Sequence, residues 1–120
     1  MARGSLSFPK ARRLRRASEF ERVRQEGRAY RSKTLMFGVL FGTGSSVFRA
    51  GFITSRRIGS AAVRNRLRRR MREIVRHHQH EILVGTWIVT IARTKAARAT
   101  YQQLEDEWLR LAKRASILAS

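Results

Sequence analysis

Residues 54–76 carry nine arginines and a single acid, Glu73. The arginines are not a featureless block. Apolar residues recur among them at Val63, Leu67, Met71, Ile74 and Val75, which is helical spacing. At about 100° per residue these fall on one side of a helix, with Asn65, Arg69, Arg72 and Arg76 opposite. Arg66, Arg68 and Arg70 flank that outer face, and Arg64 lies near the edge of the apolar stripe. The segment is therefore an amphipathic helix that needs an apolar surface to sit on. Its other face is a comb of guanidinium groups roughly 5–6 Å apart, one turn to the next. A merely solvated face mixes signs, and this one does not. Phosphates along a nucleic-acid strand have comparable spacing, so several can be met at once.

The rest of the chain supports a single folded domain. At 120 residues and 42% hydrophobic it can bury a core. The charge is +19, from 27 basic residues against 8 acidic, and a partner that neutralises it is expected. Of the basic residues 23 are arginine, whose planar fork suits bidentate phosphate contacts. With no cysteine, disulfides, zinc knuckles and thiol catalysis are excluded. No apolar run is long enough to span a bilayer, and the N-terminus lacks an apolar secretory core, so no membrane partner is expected and the cytoplasm is the default location.

Along the chain, residues 1–17 read as a basic arm, with Leu14 its anchor into the fold, and 18–120 as the domain. Ser18 and Glu21 match a capping box for a short helix over 19–26, stopped by Gly27. Residues 35–41 read as a strand apolar on both faces. Gly42 to Ser46 form a turn, and 47–54 the return strand, which makes an antiparallel hairpin with the first. Ser60 caps the arginine-rich helix, which runs to about His78. Residues 86–91 are the clearest strand by β-propensity. Thr100 and Gln103 form a second capping box, opening a last helix with a stripe at Leu104, Trp108, Leu111, Ala115 and Leu118. Its acids Glu105, Asp106 and Glu107 read as first-turn residues favoured by the helix dipole. The fold class is α+β, helices packed on a small sheet.

Catalytic chemistry is not evident. His77, His78 and His80 crowd one helix end, where they cannot flank a phosphate as an acid–base pair must. Their spacing is poor for a metal. Neither a paired-carboxylate site nor a phosphate-cradling glycine loop is present. Arg56 and Arg57 precede the arginine-rich helix and can contact a nucleic-acid strand crossing the sheet. Phe20, Phe37 and Tyr30 are aromatics beside basic positions, suited either to base stacking or, for Phe37, to the core. What is left is a protein that binds RNA or DNA without catalytic apparatus of its own, such as a structural ribosomal protein, with an autonomous nuclease the least supported.

The block 55–73, centred on Arg64-Asn65-Arg66 and preceded by Arg56-Arg57-Ile58-Gly59, resembles the signature of the bacterial ribonuclease P protein component. Residues 13–20 resemble that family's N-terminal segment and 87–93 its last strand. The resemblance implies the order α-β-β-β-α-β-α, with a short extra strand near 28–30, a mostly antiparallel sheet and a left-handed β-α-β crossover. It implies a subunit that assists a catalytic RNA in removing the 5′ leader from precursor tRNA. The partners are then ribonuclease P RNA and precursor tRNA, with no obligate protein partner. The protein itself binds no cofactor, and Mg2+ serves the RNA. Arg64, Asn65, Arg66, Arg68, Arg69 and Arg72 match the RNA-subunit-binding helix. Phe20, Phe37, Arg56, Arg57 and Arg93 fall to the leader. This chain departs from the family at Arg24 and near Gly38, where relatives often carry aromatics, so its leader site leans more on charge.

Overall fold

The computed structural model describes residues 8–119. Residues 1–7 of the basic arm lie outside them. A four-stranded mixed sheet has the order β1-β2-β4-β3, from β1 (Arg28–Arg31), β2 (Leu35–Leu40), β3 (Arg49–Ile53) and β4 (Trp87–Ala92). β2 pairs antiparallel with both β1 and β4, whereas β3 pairs parallel with β4. Helix α1 (Ala17–Glu26) packs on one face, and α2 (Ala61–His78) and α3 (Tyr101–Ala115) cover the other.

The expected β2–β3 hairpin does not form. β4 is buried along almost its whole length and belongs inside a sheet, between two partners. The connection after β2 therefore crosses the chain leading into β4. Thr43 donates from its backbone N–H (3.1 Å) and hydroxyl (2.9 Å) to the Gly85 carbonyl, and the Arg49 N–H donates to that of Thr86 (2.9 Å). β2 also stops one residue early, leaving Phe41 exposed.

α2 begins and ends as its sequence predicts. The Ser60 hydroxyl accepts from the Val63 N–H at 3.3 Å, and Leu67, Met71, Ile74 and Val75 are fully buried. The main core joins them to Leu35, Phe37, Ile88 and Trp108. The Thr100–Gln103 capping box of α3 is present, with hydrogen bonds of 2.9 and 3.1 Å. That helix ends at Ala115, however, and Ser116 takes the left-handed conformation (φ 58°), so Leu118 lies beyond it. The α3 acids sit past the first turn. Glu105 meets His78 Nε2 at 3.0 Å, and Glu107 accepts from the Ser32 hydroxyl (2.6 Å) and the Thr34 N–H (3.0 Å). Tertiary contacts, rather than the helix dipole, account for both.

α1 starts two residues before its expected first residue. Its cap is made by Glu19, not by Ser18 and Glu21. Glu19 Oε1 accepts from the N–H groups of Arg15 (2.8 Å) and Arg16 (2.9 Å), while Oε2 meets Arg49 at 2.6 Å. The Arg49 bridge from β3 fixes this carboxylate and so sets where the helix opens. Before α1, Leu14 is buried, its N–H donates to the Ala50 carbonyl at 2.9 Å, and Phe8 packs against Phe48 and Phe52. Among the described residues no helix is long and apolar enough to cross a membrane.

Candidate nucleic-acid interface

Alternation along β2 separates two surfaces. Leu35, Phe37 and Val39 enter the main core, and Met36, Gly38 and Leu40 face α1. α1 covers only part of that second face. It comes down close to the sheet over two glycines. A Cβ on Gly38 would lie 3.1 Å from Val23 Cγ1, and one on Gly51 would lie 2.5 Å from the Phe20 ring. The uncovered remainder is a cleft of about 510 Å³ lined by Phe20, Val23, Arg24, Met36, Gly38 and Ile91. At its lip Arg24 is paired with Glu21, and this hydrogen bond holds the Glu21 carboxyl below its ordinary range.

Beside the cleft lies a smaller hollow of about 250 Å³, where Arg13, Arg15, Arg68 and Arg72 meet Leu14 and Gly51. Phe20 and Phe52 line both spaces, so they form the wall between an apolar cleft and a cationic one. Burial lowers the affinity of Arg72 for its proton, and repulsion from Arg13 and Arg68 adds to it. Concentrated positive charge of this kind favours an anion between the groups.

The arginines of α2 fall into two sets. Arg64 donates to the Gly59 carbonyl (2.7 Å), Arg66 to that of Ala97 (3.1 Å) and Arg70 to that of Ala99 (3.2 Å). Arg68 donates to Asn65 Oδ1 (3.1 Å) and the Thr54 hydroxyl (2.7 Å). These neutral acceptors fix the guanidinium planes without cancelling their charge. Arg69, and with it Arg56 and Arg57 before the helix, instead reach solvent with no such bond among the described residues. Glu73, the only acid of α2, is taken up by Arg76, whose hydrogen bond holds its carboxyl low.

The sequence-predicted site residues separate accordingly. Arg64, Asn65, Arg66, Arg68, Arg69 and Arg72 share one helix, with Arg68 and Arg72 turned toward the smaller hollow. Phe20 lines the cleft. Phe37 borders it, but its ring is fully buried and packs 5.5 Å from Trp108, so it leaves the set of stacking aromatics. The strand's alternation decides this, because the residue facing the cleft at that point is Gly38. Arg56 and Arg57 occupy a short turn after β3, outside both hollows. Arg93 lies past β4 and donates to the Ser32 carbonyl at 2.6 Å, at the β1–β2 turn. Sequence reasoning missed Phe52, Arg13 and Arg15 as hollow-lining residues. Only the pairing of β3 with β4, and of Leu14 with Ala50, brings them there.

The histidines have intrachain tasks. His78 lies between Glu81 and Glu105, 3.0 Å from each, and stacks on Trp108, while His77 faces Glu73 and Tyr101.

A mixed sheet with an apolar cleft on one face, bordered by an arginine-coated crossover helix, defines a basic α+β domain of the kind that holds polyanions. The sequence pattern of the Ribonuclease P family matches residues 8–116. The ribonuclease P protein component of Chloroflexus aggregans is 40% identical over 112 residues, covering 92% of this chain and 82% of that one. Among solved structures, the RNase P protein of Staphylococcus aureus superposes with a TM-score of 0.84 at 26% identity, over 91% of this chain and 99% of that one. That of Thermotoga maritima, in complex with 1-(4-fluorophenyl)-2-thiourea, gives 0.77 at 30% identity, over 84% and 97%. The chain belongs to the ribonuclease P protein component family.

Proposed function

We propose that this protein is the subunit that lets a catalytic RNA remove the 5′ leader of precursor tRNA. The outer face of α2 binds the RNA subunit, with Arg64, Asn65, Arg66, Arg68, Arg69 and Arg72 meeting its phosphates. The single-stranded leader lies in the cleft under α1, one base against Phe20. Arg24 at the lip reaches the backbone by exchanging its exposed Glu21 partner for a phosphate. Bond cleavage belongs to the RNA subunit and its bound magnesium, and the protein's part is to hold two polyanions beside each other. The observation carrying this reading is the cleft itself. An apolar space wide enough for a base shares its Phe20 wall with a hollow ringed by arginines. Bases of a strand in the cleft and its phosphates beside Arg13 and Arg15 can be met together there, next to the Arg68 and Arg72 face turned to the RNA subunit.

The test is cleavage of precursor tRNA by a bacterial ribonuclease P RNA at low magnesium, with and without the protein. Restoration of 5′ maturation by the mixture, and none by protein alone, is expected. Tight RNA binding without restored cleavage would replace this reading with a structural RNA-binding role. Cleavage by protein alone would overturn the assignment of the chemistry to RNA.

A further inference from the structure

A second cationic surface lies at the opposite edge of the sheet from β3, away from α2 and the smaller hollow. It is assembled around the β1–β2 turn, residues 31–34. Arg93, from the end of β4, donates to the Ser32 carbonyl at 2.6 Å. Arg114, from α3, donates to the Arg31 carbonyl at 2.9 Å. Two guanidinium groups from distant parts of the chain thus grip one turn through neutral acceptors, which keeps their charge uncancelled. Arg31 and Lys33 are exposed on the turn, and Arg110 is exposed one helical turn from Arg114. The one carboxylate held at this turn, Glu107, accepts from the Ser32 hydroxyl and the Thr34 N–H and keeps its charge, which acts on Arg110. Five cations therefore stand against one carboxylate, an excess of four positive charges. Repulsion in such a group is a cost that a bound polyanion removes.

Position identifies the polyanion. Arg31 is in register with Met36, and Met36 with Ile91, two residues that line the cleft. Arg28 and Ala29 of β1 line it as well. Arg31 thus stands at the β1 side of the cleft, next to residues that line it, while the Arg56–Arg57 turn and the smaller hollow lie toward β3. Three strand spacings, about 14 Å, separate the two edges, so only a few nucleotides fit between them. A longer strand crossing the sheet extends past an edge, and at the β1 edge it meets these cations.

Resting on the leader reading, we propose that Arg31, Lys33, Arg93, Arg110 and Arg114 form a second single-stranded RNA contact, which holds the leader segment beyond the cleft. Contact is chiefly to the backbone, because the groups that make up the surface are guanidinium and ammonium, so affinity there follows leader length more than base identity.

The experiment uses the reconstituted holoenzyme carrying Arg31→Ala with Arg110→Ala. Neither side chain makes a hydrogen bond within the described residues. Substrates with leaders of about three and about twelve nucleotides are compared. The double variant should bind the long-leader substrate about 5–20-fold more weakly, with the salt slope reduced by about 1.4, and should bind and cleave the short-leader substrate like wild type. Normal short-leader cleavage also serves as the check that the variant folds. Unchanged long-leader affinity would overturn the proposal. So would equal losses on both leaders, or weakened RNA-subunit binding without leader dependence. If the wild-type protein fails to restore cleavage by the RNA at all, the leader reading itself falls, a result distinct from these.

Discussion

Gly51 is where the wall of the cleft meets the sheet, and replacing it tests that geometry. A Cβ there would stand 2.5 Å from both Cε1 and Cζ of Phe20 and 3.2 Å from Leu14 Cβ. Favourable carbon–carbon separations begin near ~3.5 Å, so in Gly51→Ala the ring must retreat by roughly 1 Å. Overpacking of this size costs about 1–3 kcal/mol. For a chain of this length the unfolding entropy converts that into a fall in Tm of about 4–12 °C. The severe clash is with the Phe20 ring, so most of it should vanish in a Phe20→Ala background, leaving the milder 3.2 Å contact with Leu14 Cβ. There Gly51→Ala should be close to neutral, the small strain against Leu14 being offset by the preference of regular backbone for alanine over glycine, about 0.5–1 kcal/mol. Urea unfolding of the four proteins in the cycle should therefore give a coupling energy of about 1–3 kcal/mol between the two sites. The displaced ring should also weaken binding of substrate with a leader, while mature tRNA is bound as before. An equal cost of Gly51→Ala with and without the Phe20 ring would refute the close approach of α1 to β3 on which the cleft depends.

The charges supply two more tests. Arg64→Ala with Arg69→Ala should weaken RNA-subunit binding and lower its salt slope by about one unit for each phosphate no longer neutralised, and an unchanged slope would mean that these groups do not face RNA. Burial alone would raise the Glu19 carboxyl. The N–H groups of Arg16 and Arg15 and the Arg49 guanidinium more than offset this and hold it below its usual 4.5. Its contribution is thus complete above the unfolded value and lost as pH falls through the lower folded value. Glu19→Gln should cost about 1 kcal/mol in urea unfolding near neutrality and nearly nothing once the medium is acidic enough to protonate both states, whereas a gap that persists in acid would show that the charge is not what matters.

Much of the architecture was legible in the chain. α2 was readable to the residue because its signals are local: Ser60 as cap, the apolar stripe, and arginine over most of the remaining face. The Thr100–Gln103 cap was readable for the same reason, as was, one residue early at 86–91, the strand that forms at 87–92. The start of α1 was not, since Glu19 is committed by Arg49, thirty residues away. The β2–β3 hairpin was misread because a glycine-rich turn between two apolar runs carries no information about which strand is the better partner.

Local chemistry along the chain was thus enough to dictate a basic α+β domain, the helix bearing its arginines, and the family. Periodicity, capping and charge are properties of neighbours in sequence. The assembled sheet decided that β4 lies between β2 and β3, that Phe37 turns into the core while Gly38 faces the cleft, and that Phe20 and Phe52 divide an apolar space from a cationic one. Strand order fixes which of two alternating faces meets α1, and that choice is made by burying β4 on both sides.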